Sequence, residues 1–288
     1  MNPHTEPPSE SPRESPSASP LYHSENPWSE LLEPTLWGQE TPHSDHEIPD
    51  ANGKMGPPYH FQWLGTQSRR GGDARSIELR FVTSKGFLEA AFHPGTAEIS
   101  DDQILEGEGL TATHGVVFAG ELDGDLGGPA GIYAQASRQL QRENFAALRL
   151  GTRERGHLSH CVLDVLLGIE FLQRRGVTHI ALVGHSFGGA VAMTAAAHTP
   201  EVSAVAALAT QPPTIEVIQS LAGRPLLLLH GQDDDEISPL NSRYVYAMAE
   251  KPKEIVLLPN VRHDLTPARA EIVQKLAQWL QNPLCDAR

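Results

Sequence analysis

From about residue 75 onward the chain alternates between short apolar runs and longer stretches with helical spacing. Runs over 76–83 and 86–93, joined at Ser84-Lys85-Gly86, predict a hairpin. Further short apolar runs at 116–119, 144–150, 179–183, 202–209, 225–229 and 254–258 predict buried strands. Helical periodicity falls between them. It is clearest over 157–175, where Val162, Val165, Leu166, Ile169 and Leu172 share a face, and over 267–280, with Ile272, Val273, Leu276 and Trp279. Shorter helices are expected over 132–142 and 242–250, and a small-residue helix over 187–198. Strands alternating with helices predict an α/β fold: a mostly parallel, eight-stranded sheet with helices on both faces.

Composition changes the picture only before that point. About half of the 23 prolines lie in the first 60 residues, among Ser, Glu and His. Such a stretch buries too little apolar surface to offset chain entropy, so residues 1–65 are expected to form a disordered tail and 66–288 one folded domain. Trp28, Leu31, Leu32, Leu36 and Trp37 are scattered apolar residues within that tail. No run of about 18 apolar residues occurs, which speaks against a membrane span. The first residues lack a basic segment followed by an apolar one, so a secretory signal is not expected. A formal net charge of −14 should repel phosphate backbones and argues against a nucleic-acid partner. Two cysteines, Cys161 and Cys285, fit a reducing, cytoplasmic setting. The 14 histidines show neither HxH nor HExxH spacing, so no metal and no other cofactor is expected.

The chemistry concentrates at Gly184-His185-Ser186-Phe187-Gly188. This G-x-S-x-G pattern follows the run 179–183 directly and opens an Ala-rich helix, the strand–turn–helix setting in which a serine is held in a strained turn above a sheet edge. Flanking glycines relieve side-chain clashes there. The N–H of Phe187, at the helix start, can donate to a developing oxyanion. A serine hydroxyl needs a base, and the base an orienting acid. The run at 225–229 leads into His230-Gly231-Gln232-Asp233-Asp234-Asp235-Glu236, and the run at 254–258 into Pro259-Asn260-Val261-Arg262-His263-Asp264. Both loops lie at carboxyl ends of predicted strands, so His263 and one of three aspartates should converge on Ser186. The acidic loop lacks the spaced oxygen ligands of a calcium loop. His185 is read as packing or polar support, and His230 as packing beneath the acid loop.

On these segments, together with Lys85-Gly86-Phe87-Leu88, residues 75–283 resemble the α/β-hydrolase superfamily, and within it the minimal serine esterase and dienelactone-hydrolase-like branch. The resemblance implies that the acid is Asp234, four residues after the histidine of the His-Gly pair, with Asp235 next in line. It also implies that Ala119-Gly120 stands where many members carry His-Gly. The second oxyanion donor is then the N–H of Glu121, or failing that Leu122, with the Glu121 side chain pointing away. Dienelactone hydrolases usually carry cysteine as nucleophile, and serine here departs from them.

The activity so implied is hydrolysis of a carboxylic ester through a Ser186–His263–Asp234 triad and an acyl-enzyme. The same groups would serve a thioesterase, acyltransferase or peptidase, and a non-catalytic binding protein of this fold is a further alternative. The expected partner is a small-molecule ester or thioester. Only residues 211–224 separate two strands where a cap is often inserted, leaving room for one short helix and an open site suited to small or medium acyl groups, with Gln211, Pro212 and Ile215 as possible walls.

Overall fold

A computed structural model describes residues 63–70, 76–96, 103, 109–121 and 124–285. The reading of residues 1–62 as a disordered tail lies outside the described residues. Trp63, Leu64 and Gly65, placed in that tail from composition, open a strand.

That strand, β1 (Trp63–Arg70), pairs antiparallel with β2 (Ile77–Thr83), which forms the expected hairpin with β3 (Gly86–Pro94). The chain continues through β4 (His114–Phe118), α1 (Ile132–Arg142), β5 (Phe145–Leu150), α2 (Leu158–Gln173) and β6 (His179–His185). Then come α3 (Phe187–Ala197), β7 (Val202–Leu208), α4 (Ile215–Ser220) and β8 (Leu226–Gly231). The last elements are α5 (Leu240–Met248), β9 (Lys253–Leu258) and α6 (Arg269–Cys285). All eight expected strands are present and β1 adds a ninth at the antiparallel edge. The order across the sheet is β1-β2-β3-β5-β4-β6-β7-β8-β9, parallel from β5 to β9. Among the described residues no helix is long and apolar enough to cross a membrane.

The continuous apolar runs have a simple cause: the sheet is covered on both faces, so neither set of alternating side chains can be polar. Val117, Leu182, Val205 and Leu228 point into one core with Val162, Val165, Ile169 and Leu172 of α2 and Val191, Ala192 and Ala195 of α3. Their neighbours Val116, Ala181, Ala204 and Leu227 point into the other, with Ile132, Ala136 and Leu140 of α1 and Ile272, Leu276 and Leu280 of α6. One aromatic anchor is Phe171, whose ring meets Phe81 and Phe92 edge-on with both centroids 5.2 Å away. Each fully buried aromatic or aliphatic side chain of this kind contributes roughly 1.5–3 kcal/mol.

Strand order reverses at β4, which has β5 on one side and β6 on the other. Crossovers on the two sides run over opposite faces, so a crevice opens at the carboxyl ends of β4 and β6, where α/β sheets bind ligands. The chain segments there are drawn together by main-chain contacts. The Ala119 amide donates to the Val183 carbonyl (2.8 Å), and the Gln232 and Asp233 amides donate to the Leu258 and Val261 carbonyls (2.8 and 3.0 Å). Gly231 permits the second approach, since a Cβ on it would lie 2.2 Å from the Val261 carbonyl oxygen. Gly231→Ala should therefore lower stability by about 1–3 kcal/mol, as overpacking against rigid backbone does. Urea unfolding monitored by tryptophan fluorescence measures it, and an unchanged midpoint would show that the two loops separate without cost.

Candidate active site

Ser186 sits between β6 and α3 with φ 54° and ψ −121°, a conformation rare for an L-residue and costing about 1–3 kcal/mol. Neighbouring backbone holds it there. Its amide donates to the Leu208 carbonyl (2.8 Å), and its carbonyl accepts from the amides of Gly189 and Gln211 (both 3.2 Å). A Cβ on Gly184 would stand 2.0 Å from the Gly188 carbonyl oxygen, and one on Gly189 would stand 2.3 Å from Thr210 Oγ1. Gly188, the second glycine of the pentapeptide, is less constrained: a Cβ there would meet Gly120 O, Ala119 O and Ala119 Cβ at ordinary distances of 3.4, 3.6 and 3.8 Å. The tight glycines of the turn are thus Gly184 and Gly189.

His263 and Asp234 lie where the loops after β9 and β8 meet. The Ser186 hydroxyl donates to His263 Nε2 (3.1 Å), and His263 Nδ1–H donates to Asp234 Oδ2 (2.8 Å). One neutral tautomer satisfies both contacts. Asp235 does not reach the imidazole: it is exposed, with Oδ2 3.6 Å from Arg262 Nη1.

The Asp234 carboxylate is buried and accepts four hydrogen bonds. Oδ1 receives the amides of Glu236 (3.0 Å) and Ile237 (2.8 Å). Oδ2 receives His263 and the Nε2–H of His230 (3.0 Å). Burial by itself would raise this carboxyl's pKa. The Ile237 amide, the His263 imidazole and the Glu236 amide outweigh it and hold the group below its usual range. His230, expected only to pack beneath the loop, also bonds the acid. It shares Nε2–H with the Ile237 carbonyl (2.9 Å) and accepts the Ser242 hydroxyl at Nδ1 (2.6 Å). Burial lowers its pKa, which suits this neutral form.

The expected oxyanion donors are carried by the start of α3 and the loop after β4. Phe187 opens α3, so its N–H is among those that helix geometry leaves without an intrahelical partner. Glu121 follows Gly120, which is pressed against the loop after β5: a Cβ on Gly120 would lie 2.2 Å from Gly151 O. The Glu121 carbonyl accepts from Thr152 Oγ1 (2.9 Å) and from the Gly124 amide (3.0 Å), fixing the turn that carries its N–H. Leu122, the other residue considered for that donor, lies outside the described residues. The Glu121 side chain places Oε2 3.1 Å from Nδ1 of His185. His185 in turn directs Nε2 at the main-chain oxygen of His263 (2.9 Å). The sequence reading anticipated polar support from His185 but not its partner; the one available signal was an acidic residue directly after a glycine in an apolar-strand loop.

Among the described residues no cluster of histidine, cysteine and carboxylate is arranged to hold a metal ion. The segment between β7 and β8 holds a single short helix, α4, as its length implied. Ser242→Ala would strand His230 Nδ1 in a fully buried position. It should cost about 1–3 kcal/mol of stability, readable as a lower denaturant midpoint, and a midpoint equal to wild type would show that the His230 contact carries no weight.

A family model described as the α/β hydrolase fold matches residues 157–250, which include the Ser186 turn and Asp234. No curated protein sequence matches the chain. Solved structures do. Est1E from Butyrivibrio proteoclasticus is 14% identical with a TM-score of 0.55, over 77% of this chain and 100% of its own. XC6422 from Xanthomonas campestris, described as an α/β serine hydrolase without lid, is 19% identical with a TM-score of 0.56, over 74% and 97%. A dienelactone hydrolase from Anabaena variabilis is 18% identical with a TM-score of 0.57, over 76% and 99%. The nine-stranded sheet, the turn at Ser186 and these similarities lead to one assignment: the chain has the α/β-hydrolase fold, without a large cap among its described residues.

Proposed function

We propose that this chain is a serine hydrolase that cleaves carboxylic esters of small molecules. The observation that carries the proposal is the unbroken line Ser186 Oγ, His263 Nε2, His263 Nδ1, Asp234 Oδ2, with hydrogen bonds of 3.1 and 2.8 Å at its two joints.

The chemistry follows from that line. His263 takes the Ser186 proton as Oγ attacks the ester carbonyl. Asp234 holds the imidazole in the required tautomer and stabilises the imidazolium that forms. The N–H groups of Phe187 and Glu121 receive the oxyanion, where one donor is worth about 2.7–4 kcal/mol of barrier. The tetrahedral intermediate collapses, and the alcohol leaves with the proton from His263. Water, deprotonated by His263, then attacks the acyl-enzyme and releases the acid with Ser186 restored. Among the described residues the segment between β7 and β8 holds one short helix and no large cap, which favours short and medium acyl groups.

A fluorophosphonate probe should label wild type, and Ser186→Ala should abolish labelling. Absence of label on folded wild type would remove the nucleophile from the proposal. Asp234→Asn should lower kcat for p-nitrophenyl butyrate by about 10⁴-fold, while Asp235→Asn, altering only an exposed pair, should leave it nearly unchanged. If the two variants behaved alike, the acid would be misassigned. On a p-nitrophenyl ester series, kcat/KM should peak at acetate to hexanoate; a steady rise towards palmitate would contradict the open-site reading.

A further inference from the structure

The Ser186–His263–Asp234 line accounts for neither the acidic residue at position 121 nor the histidine at 185. An amide donor needs no particular side chain, and enclosing a carboxylate is costly unless it is paired. Yet the Glu121 and His185 side chains are 13% and 7% exposed and face each other. We propose that Glu121 and His185 form a second carboxylate–imidazole pair that positions the main chain of His263 and thereby locks the loop carrying the oxyanion amide to the loop carrying the base. This inference rests on the ester-hydrolase reading and adds two positioning residues to it.

The hydrogen-bond inventory fits an imidazolium paired with a carboxylate. His185 Nε2 faces the His263 carbonyl at 2.9 Å, and Nδ1 faces Glu121 Oε2 at 3.1 Å. A carbonyl and an ionised carboxylate only accept, so both ring nitrogens must donate. A neutral imidazole can serve one of them, whereas an imidazolium serves both. The surrounding groups favour the cation. Burial acts against it most strongly, but the hydrogen bond and charge of Glu121, the His263 carbonyl and the charge of Asp234 together raise the pKa of His185. The other titratable neighbours are the His263 ring, whose centroid is 4.7 Å away at a tilt of 41°, and the Tyr133 hydroxyl of α1. Burial, and then the charge of Glu121, keep Tyr133 protonated.

The pair ties together two loops and a strand end. Glu121 follows β4, His185 is the last residue of β6, directly before Ser186, and His263 follows β9. Its effect should therefore fall on the alignment of base and oxyanion donor, a property of kcat, and it should titrate. A raised folded pKa means that the doubly donating form is complete at low pH and is lost as pH rises through that pKa. Losing the proton leaves one of the two acceptors without its bond, so the kcat profile should fall on its alkaline side.

Glu121→Gln tests this with little change of shape. Expected are a fall in kcat of roughly 10- to 100-fold, the scale set by partners that orient reacting groups, with KM nearly constant, and an alkaline limb displaced to lower pH. A purely structural role would lower the fraction of folded enzyme and leave the profile of the remainder unmoved; an unmoved profile overturns the proposal. Imidazole ¹⁵N spectra, with His185 assigned by its loss in His185→Gln, give a readout independent of turnover. Wild type at pH 6 should show both His185 nitrogens protonated and Glu121→Gln only one. A single protonated nitrogen in wild type overturns the proposal even if the enzyme is active. Failure of the probe to label wild type, by contrast, would remove the hydrolase reading and leave the spectra to decide the pair.

Discussion

An L-residue held at positive φ is the constraint around which the rest of this structure is arranged. Ser186 can occupy φ 54°, ψ −121° only because what surrounds it leaves no cheaper arrangement. Strand β6 is buried on both faces and cannot shift. Helix α3 is built from Gly188, Gly189 and a succession of alanines, so it lies close against β6 and β7. The Leu208 carbonyl and the Gln211 amide hold the serine's own backbone from the neighbouring strand end. The strain is small beside the burial of the two cores, and it raises the hydroxyl above the sheet where the loops after β8 and β9 converge.

The fold was legible because its physical cause acts within short windows. A strand covered on both faces must be apolar at every position, and 180–183 and 226–229 are. A helix against that sheet must repeat at 3.6 residues, and α2 and α6 do. Strand β1 escaped notice for the complementary reason. WLGTQSRR is mostly polar, and as an antiparallel edge strand it has a partner on one side only, so little in its own composition demands burial. The serine and the histidine were legible because each occupies a fixed place relative to a strand end.

The remainder of the site was not legible, because it depends on loop paths rather than on periodicity. Three consecutive aspartates offer the same chemistry. Asp234 is distinguished by the turn that gives it the amides of Glu236 and Ile237 and by the path that brings Val261 onto Gly231. Spacing borrowed from relatives indicated Asp234, but only distances separate it from Asp235, which faces Arg262 and solvent. The direction of the Glu121 side chain likewise follows from the packing of Gly120 against Gly151, a contact across 31 residues of sequence that no local pattern encodes.

The order in which the chain delivers these groups has a consequence for how reactivity arises. The serine turn needs only β6, α3 and β7, yet its base lies 77 residues farther along and its acid 29 residues before that base. On the proposed mechanism, a chain in which β9 has not joined the far edge of the sheet lacks the base carried by the loop after it, and the serine is then an ordinary, poorly nucleophilic alcohol.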